Sequence, residues 1–206
     1  LEIVSATSLK TAPASHWKRF RTLYLVIAVC VAPVIASYVA YYYLPPAGRT
    51  NYGDLIAPQR PLPRLALREL DGRSVDPASL RGQWLMVQVD GGDCGAVCQR
   101  KLWQMRQVRL TTGKDADRVQ RVWLISDAAP LPTIVMREYE GTRLLRADAA
   151  ELRTFLALPA DAGSQISDHI WLIDPIGNLM LRWPKEADPN RMKRDLSKLL
   201  KASRIG

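Results

Sequence analysis

The stretch Trp84-Leu-Met-Val-Gln-Val89, followed at once by Asp90-Gly-Gly-Asp93 and Cys94-Gly-Ala-Val-Cys98, decides how this chain folds. A short apolar run closed by a glycine turn predicts a buried strand. In the run through Leu110, the spacing of Cys98, Leu102, Met105 and Leu110 predicts one face of a helix. The cysteines are therefore expected at a strand-to-helix junction. Residues four apart on a first helical turn point to one side, with Cβ atoms about 5–6 Å apart, so their sulfurs can meet or share a metal. A bond closing so short a loop removes little chain entropy, which makes stability a poor reason to have it. Unpaired amides at a helix start favour a thiolate, while Asp90 and Asp93 oppose one electrostatically.

Upstream, Leu65–Leu70 alternates, Asp71-Gly72 is a hairpin signal, and Arg73-Ser-Val75 returns as a second short strand. Asp76-Pro77 reads as a cap with proline at the first helical position. Downstream, Val119–Ile125 predicts a strand, and 149–158, with Leu152, Phe155 and Leu156 on one face, predicts a helix. His169-Ile-Trp-Leu-Ile173, Asp174-Pro-Ile-Gly-Asn178 and Leu179–Trp183 form a hairpin pattern with its turn chemistry spelled out. Asp188-Pro189 opens a last helix through Met192, Leu196, Leu199 and Leu200. The predicted order is β-hairpin, β, α, β, α, β, β, α, an α/β domain over residues 65–206. Trp84, Trp123, Trp171 and Trp183 are expected to pack rather than to hold a cofactor.

Ahead of this domain, residues 22–44 carry no charge and exceed the roughly 20 residues a helix needs to cross a bilayer. We expect a single transmembrane helix, with Tyr41, Tyr42 and Tyr43 at one interface and Trp17 and Tyr24 at the other. Cys30 lies inside the span as a small apolar group with no function of its own. Lys10, Lys18, Arg19 and Arg21 precede the span, so residues 1–21 form a cytoplasmic tail and the rest is exported. Residues 45–64 are rich in proline and read as a stiff linker. The 206 residues carry a net charge of +9, but their basic residues are scattered, which argues against nucleic-acid binding.

A strand, a cysteine pair opening a helix, a βα crossover and a closing hairpin with a helix resemble the thioredoxin-like fold. The Cys-x-x-x-Cys spacing and Asp168-His169, opening a strand that ends Leu172-Ile-Asp-Pro175-x-Gly177, resemble the Sco/SenC family. These are membrane-anchored copper chaperones and thiol reductants for cytochrome oxidase assembly. The resemblance covers about residues 63–200 and implies copper bound by Cys94, Cys98 and His169. Gly95 and Gln99 stand where the family has proline after each cysteine. Thiolates are soft donors that select Cu(I), and imidazole suits copper as a third ligand.

The resemblance further implies partners among cytochrome oxidase subunits or their assembly factors. It places the protein in the inner (plasma) membrane with its C-terminal domain on the periplasmic side. A copper chaperone is the first expectation. A thiol–disulfide reductant that uses Cys94 and Cys98 as a redox pair without metal transfer is the alternative.

Overall fold

The computed structural model describes residues 16–43, 51–160 and 163–205, in two compact units divided at Arg49 and Thr50. The first unit contains helix α1, His16–Tyr43, which continues through Pro33. Its Phe20–Tyr43 portion is 24 residues long, and the most apolar 18-residue stretch within it has a mean hydropathy of 2.3, enough to cross a membrane once. The helix begins inside the segment expected as a tail. Residues 1–15 of that tail, Leu44 at the end of the expected span, and residues 45–50 of the expected linker lie outside the described residues.

The second unit is built on one eight-stranded sheet. Its strands are β1 (Asp54–Pro61), β2 (Leu67–Arg68), β3 (Ser74–Val75), β4 (Trp84–Asp90), β5 (Val119–Ile125), β6 (Thr142–Arg146), β7 (Ile170–Ile173) and β8 (Asn178–Trp183). In space they run β1-β8-β7-β4-β5-β6-β2-β3. The helices are α2 (Ala96–Leu110), α3 (Thr133–Glu138), α4 (Ala149–Phe155) and α5 (Pro189–Ala202). β4, β5 and β6 are parallel neighbours, and β7 lies antiparallel on the other side of β4.

Alternation along β4 explains the two layers. Leu85, Val87 and Val89 pack with Trp171, Leu152 and Phe155, on the α4 side. Trp84 and Met86 pack with Met105 and Val108 of α2 and with Met192, Leu196 and Leu200 of α5. Each such side chain fully buried contributes about 1.5–3 kcal/mol. All four tryptophans expected to pack are buried. On α2 the buried stripe is Cys98, Leu102, Met105 and Val108, whereas Leu110 is exposed, because the last turn rotates it away from the sheet.

β1 corrects the linker expectation for residues 54–61. Its prolines, Pro58 and Pro61, were read as linker punctuation, but β1 is an edge strand with a register shift between Leu55 and Arg60. Proline is tolerated at an edge or a bulge, where a missing N–H leaves no ladder bond unmade. The folded unit therefore starts before residue 65. β6 and α3 are further elements that the sequence pattern did not signal.

At the β7–β8 hairpin, Asp174 Oδ1 accepts from the backbone N–H of Ile176, Gly177 and Asn178 at 3.0, 2.8 and 2.7 Å. Gly177 sits there at φ 101°, a conformation that favours glycine. At the other end of the sheet, Asp195 of α5 is buried and accepts from Tyr52 N, Gly53 N and Trp183 Nε1. That carboxylate ties the start of β1 to the last helix.

Candidate functional site

β4 delivers the chain to Asp90, and Gly91-Gly92 turn it toward α2. A side chain at Gly92 would run into the Ala129 carbonyl, and one at Gly91 into the Asp127 carboxylate. The loop after β5 can therefore lie directly on this turn, where Asp127 Oδ1 accepts from Gly92 N at 2.9 Å and Ala129 N at 3.1 Å. Arg146 of β6 donates to the carbonyls of Asp127 and Ala129 from the far side.

Cys94 and Cys98 are joined in a disulfide with Cα atoms 5.1 Å apart. Only Cys98 belongs to the helix. Cys94 precedes the Gly95 cap and holds a left-handed backbone at φ 40°, so the pair spans a turn and a first helical turn rather than one helical turn alone. A non-glycine residue in that region is strained by about 1–3 kcal/mol and persists only where its surroundings hold it. Here Cys94 N donates to Gly91 O at 3.3 Å, and Gln99 Nε2 donates to Cys94 O at 3.0 Å. Gln99, one of the two departures from the expected proline pattern, thus fastens the turn that Cys94 occupies.

The disulfide is buried. Cys94 is 1% and Cys98 2% exposed, among Leu102, Trp123, Ile125, Val135 and Tyr139, with Leu131 packed against the group. Beneath it, the fully buried Gln88 of β4 donates from Nε2 to Cys98 Sγ at 3.2 Å. Lys101, one turn beyond Cys98, is also buried and donates to Asp90 Oδ2 at 2.9 Å and to the Ser167 carbonyl. That ammonium links the cysteine helix to the segment before His169.

His169 is 5% exposed and fully engaged. Its Nδ1 lies 2.9 Å from the Trp183 carbonyl, which can only accept, so Nδ1 carries the proton. Nε2 then accepts from the Ser164 hydroxyl at 2.7 Å. The ring stands edge-on to Trp171 at 5.5 Å between centroids. Burial pushes the carboxyl of the preceding Asp168 up, but hydrogen bonds from Lys185 and Gln165 N and nearby positive charge outweigh it. The carboxyl is held below the ordinary range.

The structure brings Cys94 and Cys98 together and does not assemble them with His169. Among the described residues no group of three or more histidine, cysteine or acidic side chains is arranged to hold a metal ion. The sulfurs are spent on each other, and the histidine nitrogen a metal would take is occupied by Ser164. Gln88 and Lys101 were not singled out from the sequence. A glutamine within an apolar strand and a lysine three residues after a cysteine were the only signals, and neither reveals burial. Cys30 is a free, exposed cysteine on α1.

The sequence model of the transmembrane-like, thioredoxin-like, C-terminal domain family matches residues 84–203. No curated protein sequence matches the chain. Among solved structures, copper-bound yeast Sco1 is similar with a TM-score of 0.52 at 17% identity, over 71% of this chain and 91% of that one. Apo Sco1 from Thermus thermophilus gives 0.52 at 16% identity, over 76% and 98%. A thiol:disulfide interchange protein from a Bacteroides species gives 0.51 at 13% identity, over 72% and 93%. At such identities these likenesses speak to a shared thioredoxin-like fold.

Proposed function

Because this chain belongs to the transmembrane-like, thioredoxin-like, C-terminal domain family, we propose that it is a membrane-anchored copper chaperone and assembly factor for cytochrome oxidase. In this reading Cys94 and Cys98 are a working redox pair. Reduction by a dithiol donor breaks the Cys94–Cys98 bond, delivers two electrons and two protons, and leaves the donor as a disulfide. The freed sulfurs then take Cu(I) as cargo, releasing their protons to solvent as it binds, and His169 supplies a third donor once Nε2 exchanges Ser164 for the metal. The observation that carries the proposal is the cysteine pair within bonding distance at the β4–α2 junction. A copper-bound neighbour of the same fold supports it.

The metal-free thiol–disulfide reductant is the second reading. It is favoured by the engagement of both His169 ring nitrogens, which leaves the thiol pair complete without the histidine. Cu(I) titration of the reduced full chain separates the two. Binding near one equivalent that weakens in His169→Ala supports the chaperone. Absence of binding, with the pair still cycling between dithiol and disulfide, leaves the reductant.

The proposed setting is the inner membrane, with α1 as the single span and the sheet unit on the periplasmic side. The basic flank Lys18, Arg19 and Arg21 before an uncharged run supports that direction. A reporter that works only outside the cytoplasm, fused after Gly206, should be active. Activity of a cytoplasm-only reporter at that position would reverse the orientation.

A further inference from the structure

We infer that the exposed face of α5 docks on the anionic lipid headgroups of the membrane that α1 spans. Over residues 50–188 the sheet unit carries 18 basic and 18 acidic residues, so its body is balanced. Residues 189–206 carry six basic residues against the single acid Asp195, and the whole net charge of the unit, +5, is gathered there. Arg191, Arg194, Lys198 and Lys201 recur at steps of three, four and three, which stacks them in one row along the helix, with Lys193 at its border. All five are exposed. Met192, Leu196 and Leu200 occupy the opposite, buried side.

Like charges three and four residues apart destabilise a helix, and an acid among them would reverse the effect. The one acid of α5 does not serve: Asp195 is buried and turned to Tyr52 N, Gly53 N and Trp183 Nε1. Lys193, Arg194 and Lys201 make no ion pair among the described residues. An anionic surface would offset the repulsion, and the contacts of Tyr52 bring one within reach. Asp195 holds its backbone, Asp188 N donates to its hydroxyl at 3.1 Å, and the Arg191 guanidinium lies 3.9 Å above its ring. The row is thus fastened to the residues at which the chain arrives from α1. Tyr52 follows Tyr43 by nine residues, a reach of at most about 32 Å. From Arg191 to Lys201 the row is about 15 Å long, and headgroups act on it within a Debye length of about 8 Å. A tethered surface is met at high effective concentration, which favours lipid over a freely diffusing acidic protein.

This docking needs α1 in a bilayer but neither copper nor thiol exchange, so it stands apart from the chemistry proposed above. The full chain is incorporated into nanodiscs of phosphatidylcholine, alone or mixed with phosphatidylglycerol. Its lysines are acetylated with a water-soluble reagent and followed by mass spectrometry. With phosphatidylglycerol present, acetylation of Lys193, Lys198 and Lys201 should slow at least about fivefold relative to Lys185, the factor for one cation at an anionic surface, or about 1 kcal/mol. High salt should restore the rates by shortening the Debye length. Arg194→Gln combined with Lys201→Gln should remove most of the protection at Lys193 and Lys198, whereas the charge-preserving Arg194→Lys with Lys201→Arg should keep it. Equal acetylation in the two kinds of disc overturns the lipid assignment and leaves the row to an acidic protein. Protection that survives high salt or the glutamine pair overturns it, as does loss of protection in the charge-preserving pair.

Discussion

Cys94 and Cys98 are brought together by a turn and the first turn of α2, four residues apart in sequence. His169 is held by Ser164 on one ring nitrogen and by the Trp183 carbonyl, on β8, on the other. The first half of the candidate site is local and already makes its bond. The second half depends on two other segments and is bonded to the fold instead of to the cysteines. Thiol chemistry therefore stands without the histidine, whereas three-donor copper chemistry requires His169 to give up a protein partner. The two proposed functions differ in the His169 half alone.

Cys94→Ser should have the largest effect. It removes a ligand outright, so Cu(I) affinity should drop by more than about a hundredfold, beyond the 10–100-fold typical of losing a partner outside the ligand set. Competition with a Cu(I) chelator measures it. His169→Ala removes a donor but leaves both thiolates, so it should cost less than Cys94→Ser and at least about 10-fold in the same assay. Combined with Cys94→Ser it should add little, because ligands of one site are not additive. Additive losses would mean that the two halves never share a metal. His169→Ala also removes the Nδ1–H bond to the Trp183 carbonyl together with a buried ring, which should lower apo stability by about 1–3 kcal/mol in urea unfolding.

Lys101→Met comes next. It leaves the partly buried Asp90 and the Ser167 carbonyl without their ammonium, and about 2 kcal/mol of stability should be lost. Hydrogen exchange should rise over 164–168 more than over β7. Equal exchange in both would show that Lys101 is not what ties the histidine segment to the cysteine helix.

Ser164→Ala is the smallest and the most pointed. It removes the competitor for Nε2, worth one ordinary hydrogen bond of about 0.5–1.5 kcal/mol, so Cu(I) affinity should rise roughly 2–12-fold. An unchanged affinity would separate His169 from the metal and leave the dithiol reading in possession.

Much of this was legible because local chemistry spelled it out. The Asp174–Asn178 turn, the Asp76 and Asp188 caps and the β4-to-cysteine junction are all written within a few residues. β5 was readable from its apolar residues 122–125, which follow Gln120 and Arg121. β1 was hidden by Pro58 and Pro61, whose acceptability depends on edge position, a property of the whole sheet. β6 was hidden by Arg143 and Arg146, which read as solvent-facing yet bond to Glu69 and to the Asp127 loop. At the site, the closeness of the two cysteines was readable from spacing, though not that they form a disulfide with Cys94 ahead of the helix. The left-handed backbone of Cys94 and the burial of Lys101 and Gln88 depend on what packs above them. So does the Ser164 contact of His169, which no spacing rule encodes.

The grip of Asp195 on Tyr52 and Gly53 joins residues 143 and 142 positions apart, and it sets an order of events during synthesis. At roughly 5–20 residues per second, the beginning of β1 leaves the ribosome about 7–30 s before the helix that fastens it. For that interval its backbone donors and acceptors stand open to any passing strand. Pro58 and Pro61 remove two of the donors, so the residues that disguise β1 as a linker also guard the nascent chain against mispairing until its last helix arrives.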